Sequence, residues 1–149
     1  MNKIELKFSA CIENEPFVRT AISAFILPLN PNLDELSEVK TIVSEAVSNA
    51  IIHGYEYNSS KDVFLKAKIT DNALEIIIQD YGIGIENIEE AMQFNFTTRQ
   101  DQERAGMGFS IMQTLSDKFD VRSQKDIGTT ITITKFFKKH YQEVRWWLP

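Results

Sequence analysis

The sequence predicts an α/β protein of the α+β kind: a two-layer sandwich with a mixed, mostly antiparallel sheet and helices packed on one face. Three observations carry this. Period-two alternation opens and closes the chain, helical spacing fills the stretch between Asn14 and His53, and two strand-like runs meet at Asp71-Asn72 with room only for a tight turn. The resulting order is β-α-α-β-β-lid-α-β-β.

The first strand rests on Ile4, Leu6, Phe8 and Ala10 alternating with Lys3, Glu5, Lys7 and Ser9. Phe17, Ala21, Ile22, Phe25 and Ile26 then recur at helical spacing, beginning near Asn14 with Pro16 in the first turn and stopping before Pro28 and Pro31. A second helix, capped by Asn32 or Asp34, runs to about His53, where Gly54 stops it. Strands follow at 62–70, where Val63, Leu65, Ala67 and Ile69 alternate, and at 74–79. Residues 85–105 hold no sustained period beyond a possible short helix at 88–94, and a segment of that length inside a domain is usually functional. A third helix fits 108–118, with Phe109, Met112 and Leu115 on one side. Strands at 119–123 and 129–136 turn Ile131 and Ile133 inward. The tail at 140–149, with Trp146 and Trp147, predicts no element.

No repeat or linker divides the 149 residues, so they are expected to form one domain over 1–149, the tail from about 137 unassigned. A net charge of −5 leaves no basic surplus for general nucleic-acid binding. The single cysteine, Cys11, has no disulfide partner within the chain and no metal-ligand cluster around it, which makes it a packing residue. The longest apolar stretch, near 21–29, contains Ser23 and Pro28 and is too short to span a membrane, so a cytoplasmic protein is expected.

Three separated pieces point to chemistry. At 100° per residue, Leu36, Val39, Val43, Ala46, Val47 and Ala50 share one face of the second helix, while Glu45 and Asn49 fall together on the other. That pair is either a solvated face or, covered by Ile42 and Ile52, a working one. An amide oxygen suits Mg²⁺, and a carboxylate one turn away can take a proton from an attacking hydroxyl. Asp80 ends a strand before Gly82 and Gly84. It is either a turn former or a buried acceptor that takes the amino group of adenine and repels guanine, with the glycines letting backbone approach the ligand. Gly106-Met107-Gly108 opens the third helix, where free NH groups suit phosphate, or it is a glycine hinge. Thr97 and Thr98 add hydroxyls, Arg104 a charge for a γ-phosphate, and Gly128-Thr129-Thr130 a turn with further hydroxyls near the base.

The set resembles the GHKL ATPase superfamily, the family of gyrase, Hsp90, histidine kinase and MutL ATPase domains, which implies a Bergerat-type fold with an ATP lid. Ser44-Glu-Ala-Val-Ser-Asn-Ala-Ile-Ile-His-Gly-Tyr55, Phe96-Thr-Thr98 and Arg104-Ala-Gly-Met-Gly-Phe109 more closely resemble the bacterial anti-sigma factors that are also serine-protein kinases. The likeness runs from Leu6 to about Lys135. It implies Glu45 as catalytic base, Asn49 as Mg²⁺ ligand, Asp80 as adenine reader, and Thr97, Thr98, Gly106 and Gly108 as phosphate contacts of a bound ATP. Gly82, Gly84, Arg104 and Thr130 are expected around the same nucleotide. Glu15, Arg19, Glu103 and Arg104 are the matching positions for partner docking. The implied partners are a sporulation sigma factor, held in an ATP-dependent way, and an anti-anti-sigma protein phosphorylated on serine, with the chain itself a homodimer. A stress-response anti-sigma kinase and a non-catalytic ATP-gated binding module are the alternatives. The ATPase half of a histidine kinase is disfavoured, because neither His53 nor His140 lies on an upstream pairing helix.

Overall fold

The computed structural model describes residues 1–92 and 100–139, with the side chains of 100–106 excepted. Five strands form one sheet: β1 (Asn2–Ser9), β2 (Asp62–Thr70), β3 (Ala73–Asp80), β4 (Lys118–Gln124) and β5 (Gly128–Phe136), in the spatial order β1-β2-β3-β5-β4. The expected mostly antiparallel sheet is antiparallel at each of these pairings. Four helices accompany it: α1 (Asn14–Phe25), α2 (Leu33–Ser48), the short α3 (Ile88–Met92) and α4 (Gln100–Leu115).

Register explains why one face is apolar. Leu6 pairs with Leu65, Leu65 with Ile78, Ile78 with Ile131 and Ile131 with Val121, so inward side chains form a continuous row across the sheet. The neighbouring row runs Ile4, Ala67, Ile76, Ile133 and Phe119. These rows join one core with Ile22, Val43, Val47, Phe109 and Met112 from the helices. Truncating a side chain such as Phe109 there would cost about 3–5 kcal/mol. The opposite face carries lysines, glutamates and the alternate threonines of β5.

Three expectations shift. In α1 the buried stripe is Glu15, Val18 and Ile22, and Phe17 is 64% exposed. The helix has apolar residues on two sides, and packing on α2 selects the Val18 side. In α2 the cap is Asn32. Its side chain accepts from the Glu35 NH at 2.8 Å, and Glu35 Oε2 accepts from the Asn32 NH at 3.0 Å. The α-helix then ends at Ser48 and continues as a π turn over Asn49–Gly54, where the Tyr55 NH reaches back five residues to the Ala50 carbonyl.

The third shift concerns α4. It begins at Gln100, so Gly106-Met107-Gly108 lies inside it and does not open it. The run Gln-Asp-Gln-Glu-Arg-Ala is rich in strong helix formers, and their propensity outweighs two glycines at about 1 kcal/mol each.

Candidate functional site

The π turn and the end of β3 build the site. Inward alternation along β3 places Leu74, Ile76, Ile78 and then Asp80 on the helix-facing side, so an acid occupies what would be the next core position. Asp80 is 3% exposed. Burial pushes its carboxyl up from 3.8 to about 6, opposed by backbone NH groups of Gly82 and Thr129. The Gly82 NH donates to Oδ1 at 3.0 Å, so the residue is both a turn former and a buried acceptor. Gly54 packs so tightly on this carboxylate that a Cβ there would lie 2.7 Å from Oδ1. Gly84 adopts φ +69°, and a Cβ on it would strike the Gln124 carbonyl at 2.0 Å.

Tyr55 fixes this corner from beneath. Its hydroxyl donates to the Asp62 carbonyl and accepts from the Tyr81 NH, each at 2.7 Å. Burial, the largest cause, and the charges of Asp80 and Asp62 raise its pKa, so it remains a donor.

Two cavities meet over these elements. The larger, about 620 Å³, is lined by Asn49, His53, Gly54, Ile83, Gly84 and Thr129, together with Ile85, Glu86, Asn87, Glu90 and Ala91. Asp80 lines neither cavity itself; it stands against two residues that line the larger one, packed on Gly54 and accepting from the Thr129 NH. The smaller, about 260 Å³, is lined by Glu45, Ser48, Asn49, Ile52, His53, Met107, Gly108 and Ile111. Asn49 and His53 line both, so the π turn is the ridge where they join. A site of this size, with polar and apolar groups sharing its walls, suits a nucleotide-sized ligand.

The Glu45/Asn49 pair therefore faces neither the open solvent nor the apolar core. Asn49 is 7% exposed, and burial raises the Glu45 pKa above its ordinary value. Gly108 closes against Glu45, since a Cβ there would lie 3.0 Å from Oε2. Because Gly108 sits within α4, the expected helix-opening NH groups are not what it presents here. No group of three or more His, Cys, Asp or Glu that could cage a metal occurs among the described residues. A single amide oxygen still fits Mg²⁺, which keeps waters and ligand phosphates in its shell.

One expected residue is displaced. Thr130 pairs with Gln79 on the outward side of the sheet, while its neighbour Thr129 is buried and lines the larger cavity. The two-residue period puts adjacent threonines on opposite faces. Ser123 holds Thr129 in place: the two hydroxyls lie 2.7 Å apart, and Ser123 Oγ accepts from the Ile85 NH at 2.7 Å. Gly82 supports Asp80 without lining either cavity, whereas Gly84 lines the larger one. Thr97 and Thr98 lie outside the described residues, as do the side chains of Glu103 and Arg104. Gly106 is placed only as part of α4. Glu15 and Arg19 pair on α1 at 3.5 Å and line neither cavity. That distance is an ion pair without hydrogen-bond geometry, consistent with Glu15 Oε1 having no hydrogen-bond partner. His53, Gly54 and Tyr55 carry no site role in the sequence reading, and the Gly-Tyr dipeptide after the Glu/Asn pair is their visible signal; Thr129 is legible there as part of the Gly128-Thr129-Thr130 turn.

A buried acceptor at a strand end, an Asn on the adjoining helix and a cavity running between them under α4 define an ATP-binding domain of the histidine kinase type. The chain belongs to the histidine kinase-like ATPase domain family, whose model matches residues 8–135. It is 50% identical over 134 residues to an anti-sigma F factor of Clostridium perfringens, covering 90% of this chain and 96% of that protein. It is 46% identical over 138 residues to the anti-sigma F factor of Bacillus subtilis, covering 93% and 94%. Within the ATPase family the chain thus groups with the anti-sigma F factors. Solved structures agree on the fold. The RsbU and RsbW domains of a Mycobacterium tuberculosis protein match with TM-score 0.66 at 17% identity, over 92% of this chain and 33% of that one. The catalytic domain of the histidine kinase ThkA matches with TM-score 0.55 at 15% identity, over 92% and 97%. No helix among the described residues is long and apolar enough to cross a membrane.

Proposed function

We propose that this chain is an ATP-dependent serine-protein kinase that binds and inhibits a sporulation sigma factor and phosphorylates the anti-anti-sigma protein that releases it. The observation that carries the reading is the placement of Glu45 and Asn49 on one cavity wall. The carboxylate is partly buried, with its proton affinity raised, and the amide stands one turn further along the helix. The kinship with anti-sigma F factors over more than nine-tenths of those proteins supports the choice of partner.

ATP would take the larger cavity, with Gly84 and Thr129 at its wall and Asp80 as the acceptor for adenine's amino group, and Asn49, Glu45 and Gly108 would stand on the phosphate side. Asn49 would hold Mg²⁺, which would supply neutralisation of phosphate charge. Glu45 takes the proton from the substrate serine as its oxygen bonds to the γ-phosphorus and the bond to the β–γ bridging oxygen breaks, leaving ADP. Raised basicity suits this role, because a base works best with a pKa nearer the working pH. Thr97, Thr98, Arg104 and Gly106 are assigned to the phosphates on the resemblance of their motifs. Glu15 and Arg19 on α1, with Glu103 and Arg104, form the docking surface, and the active protein is a homodimer.

The test is to incubate the chain with MgATP and the anti-anti-sigma protein and to map the product by mass spectrometry. One phosphate on a serine is the expected result. Sigma capture in ATP with no phosphate transferred would make the chain an ATP-gated binding module.

A further inference from the structure

Lys135 is the only buried cation among the described residues, at 8% exposure. It follows Thr129, Ile131 and Ile133 as the next inward position of β5, where an apolar side chain would ordinarily pack. An ammonium is stable there only with partners. It has two, on different helices. Its Nζ lies 2.5 Å from Glu38 Oε2 on α2, and it donates to the Leu115 carbonyl at 3.1 Å. Leu115 is the last residue of α4, where carbonyls lack intrahelical partners and a cation meets the negative end of the helix dipole.

Neither partner touches the cavities, yet both sit in register with residues that do. Seven residues on from Glu38 along α2 stands Glu45, and seven residues back from Leu115 along α4 stands Gly108. Glu45 and Gly108 face each other so closely that a Cβ on Gly108 would lie 3.0 Å from Oε2. The two helices therefore run antiparallel and are joined by two rungs, about 10 Å apart at 1.5 Å per residue. One rung is the Glu38–Lys135–Leu115 bridge, and the other is the close approach of Glu45 and Gly108.

We propose that Lys135 is a positioning residue for Glu45. By pinning the C-terminal end of α4 to α2, it sets the register at which Gly108 and the Glu45 carboxylate meet across the smaller cavity. The proposal rests on the reading of Glu45 as the base, and it assigns Lys135 a role that a mere stabilising ion pair would not have. An ion pair alone lowers the melting temperature and leaves the turnover of the folded protein untouched.

The test compares Lys135→Met, Lys135→Arg and Glu38→Gln in the full chain. MgADP affinity is measured by calorimetry. Single-turnover phosphorylation of the anti-anti-sigma protein is normalised to nucleotide-binding sites. Lys135→Met is expected to keep MgADP affinity near the parental value and to transfer phosphate ~10–100-fold more slowly, the scale of an ångström-level misplacement. Lys135→Arg, which keeps charge and donors, should recover most of that rate, and Glu38→Gln should fall between. A parental transfer rate in folded Lys135→Met overturns the proposal. If Lys135→Met does not fold, Glu38→Gln decides, and a parental rate there overturns it equally. If the parent itself phosphorylates nothing, the kinase reading fails and amide hydrogen exchange tests the register instead. Faster exchange at residues 108–111 in Lys135→Met, up to two turns from the bridge, supports the proposal, and unchanged exchange there refutes it.

Discussion

Replacing Asp80 by Asn should weaken the nucleotide site and strengthen the empty fold, and both effects follow from the same buried carboxylate. Its pKa rises from 3.8 to about 6, chiefly through burial. At 1.36 kcal/mol per pKa unit, that difference amounts to about 3 kcal/mol, taken as an upper scale. The folded value lies above the unfolded one, so the folded protein holds the proton to higher pH. Stability therefore falls as pH rises from about 4 to about 6 and is flat above. Asn carries no such charge, and its carbonyl can still accept the Gly82 NH that now bonds Oδ1 at 3.0 Å. Relative to the parent, the variant should gain up to about 2 kcal/mol between pH 4.5 and pH 7.5, read from urea unfolding of the nucleotide-free proteins. ATP binding should move the other way. The amide can present an NH₂ to adenine's own donor, and the loss should be about 1–3 kcal/mol, or roughly 5–150-fold in Kd by calorimetry. Parental ATP affinity should also rise with pH through about 6, as the acceptor-only form appears. A stability difference that does not change with pH would refute the account of burial. Equal ATP affinity in the two proteins would refute the adenine contact.

Glu45→Ala should cut serine phosphorylation by about 10²–10⁴-fold while leaving MgATP binding and sigma capture near parental; loss of ATP binding instead would make Glu45 structural. Asn49→Ala should weaken nucleotide binding in Mg²⁺ and have much less effect in EDTA, and an equal loss in both would show a direct or structural contact. Thr129→Val should cost ATP affinity by about 0.5–1.5 kcal/mol, whereas Thr130→Val should be silent, because only Thr129 faces the cavity. Arg19→Ala should leave ATP binding intact but cost some fold stability, because the buried Glu15 carboxylate loses the cation beside it. It should also weaken both sigma and anti-anti-sigma binding by about 2 kcal/mol or more in pull-down titrations; parental affinities would return Arg19 to a plain surface role.

Local pattern alone was enough for the strands and the order of elements, and it marked Glu45, Asn49 and Asp80 as candidates without deciding between their structural and working readings. Alternation along β2 and β5 reports the buried face directly, because a strand's period of two leaves no ambiguity once one face is apolar. Asp80 was legible for the same reason, lying in phase with Leu74, Ile76 and Ile78. Phase also separates Thr129 from Thr130, and following the alternation one residue further would have selected Thr129. Other features were not local. The side of α1 that turns inward depends on its packing against α2, so Phe17 and Val18 could not be ranked from spacing. The π turn at Asn49–Gly54 has no composition signature, yet it puts Asn49 and His53 on the ridge between both cavities and brings Gly54 against Asp80. The start of α4 was misplaced because a glycine pair reads as a boundary, whereas helix formers upstream can carry a helix through it. Lys135 carries no local signal of its place, because its partners come from α2 and α4. A residue's chemistry is written in the chain, but its partners are chosen by elements tens of residues away, and those contacts exist only in the folded state.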